Sequence, residues 1–233
     1  MSTFLQLYSR VLDYTHRPKN QDTTEVKALV NEAYIHVTSQ LRCYQKTSAA
    51  LTLTANDGDY SIVTDLAISD FSALRVLKYT AANGASTLNT IAPTTPDEII
   101  ALRAANPSAT TPATAYAIQG WDGLMLHPLP ATGDTITIIY TAVPTAMSGD
   151  SDTPTRIPQE WHHLIVTRAA AVAMEVMDDQ RAAALQNRYE HELALAHLWF
   201  NQHAGSRGYA PASNTNSGLV LYPGDYYSGI YSN

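Results

Sequence analysis

Apolar side chains recur at helical spacing near both ends of this chain and at strand spacing between them. That double switch requires helices and strands together, with the strand-forming stretch inserted between helical ones. Phe4, Leu5, Tyr8, Val11 and Leu12 predict a first helix ending near His16, ahead of Pro18. Asp22 reads as the N-cap of a second helix, with Glu25 three residues on. Val26, Leu29, Val30, Ala33, Val37 and Leu41 then mark its buried stripe to about Cys43.

From Ala49 the runs shorten and alternate. Asn56-Asp57-Gly58 is a hairpin signal, and 73–79, 114–119, 123–127 and 135–141 read as strands. One helix interrupts them over 96–105, with Thr95 as N-cap and Pro96 in the first turn. After the loop "MSGDSDTPTRIP", Pro158 opens a helix in which Trp161, Leu164, Ile165, Ala169, Val172, Ala173 and Val176 share a face. Asp178-Asp179 marks a bend into a last helix. There Ala182, Leu185, Tyr189, Leu193, Ala196, Trp199 and Phe200 form one stripe, while Leu195 and Leu198 fall on another side. A helix apolar on more than one side predicts a second neighbour, so Leu195, Leu198 and Trp199 are the expected inter-subunit packing residues.

The expected fold class is α+β: mainly a bundle of four helices with an inserted small antiparallel β unit and an extended C-terminal arm. The divisions fall at 1–48 for the N-terminal helices, 49–156 for the β-rich unit with its short helix, 157–204 for the two long C-terminal helices, and 205–233 for the arm. The start of the arm is rich in Gly, Ser and Asn, a linker composition. Its end carries Leu219, Leu221, Tyr222, Tyr226, Tyr227, Ile230 and Tyr231 without helical period. A tail too short to bury these groups in itself buries them against something else, so they read as a docking arm for a partner or a neighbouring subunit.

The chemistry of known enzyme motifs is missing. His191-Glu192 begins a His-Glu-x-x-His pattern, but Leu195 stands where the second histidine belongs. His191, His197 and His203 are six residues apart, which points them roughly 120° apart around a helix. His162-His163 beside Glu160, and the "NDGD" and "SGDSD" loops, read as a helix start and as turn chemistry rather than ligand sets. No Walker A, dinucleotide-binding glycine pattern, Gly-x-Ser-x-Gly elbow or paired-cysteine zinc pattern occurs. The sequence thus predicts no catalytic residue, no metal and no cofactor; a metal-dependent hydrolase using these histidines and Glu160 is the enzymatic alternative. With Cys43 the sole cysteine and a net charge of -7, neither a disulfide framework nor a general grip on nucleic acid is expected. No stretch approaches the roughly 20 apolar residues of a membrane span.

Taken in order, an amphipathic helix, "VNEAYIHVTSQLR", strands, "LMLHPLPATGDTITIIYTAVPTAM", an "IPQEWHHLIVTRAAAVAMEVMDD" helix and a long final helix resemble the head-to-tail adaptor (connector) proteins of tailed bacteriophages. The resemblance rests on Asn31, Ala33 and Tyr34, on Pro128-x-Pro130 leading to a strand that ends at Tyr140, and on Ile157-Pro158 with His163. It implies a structural, non-enzymatic virion protein of the neck, assembled in the host cytoplasm. It also implies a homo-oligomeric ring, usually twelvefold, beneath the portal protein, joined to a downstream nozzle, fibre or stopper and passing genomic DNA through its lumen at ejection. Another neck or tail-tube component, such as a nozzle or terminator, is the alternative within that class.

Overall fold

The computed structural model describes residues 2–16, 23–82, 89–106 and 112–205. The chain divides into two units. One is formed by the described parts of Met1–Tyr44 and Val143–Asn233, the other by Gln45–Ala142.

The first unit is helical. α1 (Phe4–Thr15) opens on a capping box in which Thr3 Oγ1 accepts from Gln6 N–H while Gln6 Oε1 accepts from Thr3 N–H. Two further N–H groups of its first turn, those of Phe4 and Leu5, donate to the carbonyls of Asp152 and Asp150. α2 (Thr24–Leu41) starts after Thr23, whose side chain makes no cap bond; the expected cap Asp22 lies outside the described residues. Two further helices follow the β unit in the chain. A 3-10 turn (Gln159–Trp161) leads into α4 (His162–Val176), and Asp178, with φ 54°, makes the bend into α5 (Ala182–Gly205).

α4 is the centre of this unit because α1, α2 and α5 all pack on it. Its sequence explains this: Ala169, Ala170, Ala171 and Ala173 let neighbouring helices approach, while Leu164 and Ile165 fill the space between them. Phe4, Leu7 and Val11 of α1 and Val26, Val30 and Val37 of α2 complete the core. The loop entering α4 is pinned to α2 by Asn31, whose Nδ2 donates to Met147 O at 2.9 Å and whose Oδ1 accepts from Met147 N–H at 2.8 Å. One side-chain amide thus satisfies both main-chain polar groups of Met147, a residue that no strand pairs.

The second unit holds two sheets. In the first, β9 (Thr135–Ala142) is central. β4 (Phe71–Thr80) pairs on one flank and β1 (Gln45–Thr47) and β2 (Leu51–Thr52) on the other, with β5 (Asn89–Thr90) beyond β4. Alternation in "TITIIYTA" turns Ile136, Ile138 and Tyr140 inward. The second sheet runs β3 (Asp59–Ser61), β8 (Gly123–His127), β7 (Ala115–Gln119), β6 (Ala92–Pro93). α3 (Pro96–Ala105), capped by Thr95 with Pro96 in its first turn, lays Ile99 on Ala117 and Met125.

The expectation of a mainly four-helix bundle with a small antiparallel insert is corrected by this architecture. The described residues form five α-helices and nine strands in two sheets, one strand pair of which, β6–β7, is parallel. Asn56-Asp57-Gly58 does not close a hairpin either. β2 before it pairs with β9, and β3 after it pairs with β8, so this turn carries the chain from one sheet to the other. The physical reason is the same in both cases: turn residues dictate a local bend, whereas pairing is set by contacts far apart in sequence.

Candidate functional site

The histidines do not converge. On α5, His191 is exposed and His197 half-buried, with burial and then the Arg42 charge holding its pKa below the usual range. The side chain of His203 lies outside the described residues. His162 is buried with Nε2 at 3.0 Å from Ile157 O, and burial pushes its pKa down. The neighbouring His163 points elsewhere, with Nδ1 2.8 Å from Glu160 O and Nε2 3.6 Å from Glu192 on α5. Among the described residues no group of three or more His, Cys, Asp or Glu side chains is placed to hold a metal ion.

The acidic loops have other employment. Asp57 Oδ1 accepts from Asp59 N–H, and Asp59 is held by both terminal nitrogens of Arg103. Asp150 pairs with Lys27 at 2.8 Å, and Asp152 Oδ2 accepts from Ser148 N–H and Gly149 N–H. Those backbone bonds, with no comparable burial to oppose them, lower the Asp152 pKa.

What the surface offers instead is apolar. Leu195 and Leu198 are 46% and 50% exposed on α5, whereas Trp199 is half-buried and stacks within its own chain, 6.2 Å from Trp161 and 5.0 Å from Phe200. The structure therefore separates the three expected packing residues: two leucines face outward and the tryptophan closes an aromatic stack. The arm residues Leu219, Leu221, Tyr222, Tyr226, Tyr227, Ile230 and Tyr231 lie outside the described residues.

One exposed aromatic escaped the sequence reading. Trp121, at the turn between β7 and β8, is 66% exposed. Its signal was the glycine-flanked "GWDG" between two strand candidates. The described surface thus carries outward apolar groups at Leu195, Leu198 and Trp121. A family model described as the SU10 adaptor protein matches residues 2–215. The chain belongs to the SU10 adaptor protein family. It is a phage adaptor protein, consistent with the head-to-tail class that its sequence resembles. Asn31 in this adaptor is the amide that pins the Met147 loop, and Ile157 supplies the carbonyl that His162 engages. No curated protein matches the chain. No described helix is long and apolar enough to cross a membrane.

Proposed function

We propose that this adaptor acts by assembly rather than turnover, as one subunit of a ring at the portal–tail junction of the virion. The carrying observation is family membership over 2–215, nearly the whole chain. Outward-facing Leu195 and Leu198 on the last helix add support, because exposed leucines about one turn apart on an amphipathic helix suit a subunit neighbour. In this reading the ring matches the portal's twelvefold symmetry, presents a new surface to a nozzle, fibre or stopper, and lines the DNA exit channel. A net charge of -7 suits a lumen that DNA passes without sticking. Leu219, Leu221, Tyr222, Tyr226, Tyr227, Ile230 and Tyr231 serve as anchors into the portal or an adjacent subunit, where many copies give avidity from modest contacts.

The test is electron microscopy of the purified chain mixed with its cognate portal rings, with and without the residues after Gly218. A ring stacked on the portal, weakened by the truncation, is the expected result. Full-length chain that leaves every portal bare overturns the reading.

A further inference from the structure

Trp121 is held out rigidly. Gly120 takes φ +67°, where a side chain is strained, and a Cβ on Gly123 would lie 2.7 Å from Gln119 O, so the glycines on either side of Trp121-Asp122 permit the tight turn. The turn is then fastened to β3. Asp122 O accepts from Ile62 N–H at 2.8 Å, and Asp122 Oδ2 from Ser61 Oγ at 2.9 Å. Asp65 lies at the same end of this sheet, its Oδ2 accepting from Ser61 N–H at 2.7 Å. No lysine or arginine occurs between Asp59 and Asp70, nor between Arg103 and Arg156. The indole is therefore an apolar knob with an acidic collar, pre-organised at little further entropic cost.

The helical unit carries a mainly polar cleft with one arginine and one aspartate in its wall. About 430 Å³ in volume, it is walled by Tyr34, Tyr44, Met147, Thr153, Thr155 and Arg156. The Arg156 guanidinium lies 4.2 Å from the Tyr44 ring centroid and pairs with no carboxylate among the described residues. Asp152 lines the cleft too, but its Oδ2 is occupied by Ser148 and Gly149, which leaves Oδ1 to accept an indole N–H.

We infer that Trp121 of one copy seats in the Tyr34–Tyr44–Arg156 cleft of the next copy, with Asp122 and Asp65 facing Arg156. A knob and a hole at different places on one chain make a heterologous contact, the kind that closes rings. Charge complementarity sets the direction, since among the described residues neither Asp65 nor Asp122 is in an ion pair and Arg156 pairs with no carboxylate. This inference rests on the ring reading above and names the contact that joins its subunits.

The experiment uses the full chain with portal rings. Gln119→Cys, exposed beside the turn with Trp121 left in place, and Thr153→Cys are combined in a Cys43→Ser background, and a short bis-maleimide cross-linker on the assembled ring is expected to give a ladder of covalent multimers that neither single cysteine gives. Trp121→Ala is expected to lower ring yield roughly tenfold or more, as removal of a central aromatic anchor does, while its urea unfolding matches wild type because the side chain is exposed. Rings that form on portals without a ladder, and that Trp121→Ala leaves intact, overturn the contact and leave the adaptor reading standing. Cross-links from residue 119 that map to the portal overturn it as well. Wild-type chain that forms no ring on portals overturns the adaptor reading and this inference with it.

Discussion

α4 and α5 are consecutive helices with opposite surfaces. Ten of the fifteen residues of α4 are buried, while the described side chains of α5 include only two, Tyr189 and Ala196. The cause lies in composition around the circumference. α4 is apolar or alanine over most of its circumference and receives α1, α2 and α5, whereas α5 has one narrow stripe and gives its other faces to charged groups and to Leu195 and Leu198. A helix of the first kind stores folding stability. One of the second kind holds surface in reserve, and the pair teaches which substitutions strike folding and which strike assembly.

The largest expected effect breaks this comparison if it fails. Ile165 on α4 is fully buried, so Ile165→Ala should destabilise the helical unit by about 2–5 kcal/mol in urea unfolding. Leu195→Ser should change the stability of the isolated chain by no more than about 0.5 kcal/mol, yet reduce ring assembly on portals. Equal losses of stability from the two would mean that α5 is packed as deeply as α4.

A smaller effect concerns the seam between them. Arg168 of α4 donates to Gln186 Oε1 at 2.8 Å and lies 5.6 Å from the Tyr189 ring centroid, both on α5. Arg168→Ala is expected to cost about 1 kcal/mol, chiefly the cation–aromatic contact and one partly exposed hydrogen bond. Hydrogen exchange should place the loosening in α5 and not in α4. Tyr189 gives the opposite sign. Its hydroxyl is buried without a described partner, and burial raises the phenol pKa to about 12. Tyr189→Phe should leave stability unchanged or raise it by up to about 1 kcal/mol, because nothing paired is lost. A clear loss of stability would show that the hydroxyl has a partner.

Much of this contrast was legible in the sequence because it is angular. The i, i+3, i+4 pattern separates Tyr189, Leu193 and Ala196 from Leu195 and Leu198, and Thr95-Pro96 gave α3 its observed start. The misreadings share a different cause. β5 and β6 are two residues long and exist only through partners elsewhere in the chain, so they leave no periodic trace. Asn56-Asp57-Gly58 announced a bend truthfully, but which strands flank it as partners depends on β8 and β9, more than sixty residues away. Trp121 was missed because exposure at a turn has no period at all.

The smallest expected effect sharpens the seam further through pH. His36 of α2 lies 6.1 Å from the Tyr189 ring, and burial, followed by the Arg168 charge, holds its pKa below the ordinary histidine value. On α5, burial and then Arg42 do the same to His197. Both groups fold neutral, so the unfolded chain binds protons more readily. The stability is complete above the unfolded histidine pKa of roughly 6.5 and is lost as pH falls below it. Lowering pH from neutral toward 5.5 should therefore loosen α5 measurably in hydrogen exchange, and the combined His36→Gln and His197→Gln variant should flatten that dependence. If the double variant keeps the full wild-type slope, the proton is taken up elsewhere, and the weak docking of α5 owes nothing to its histidines.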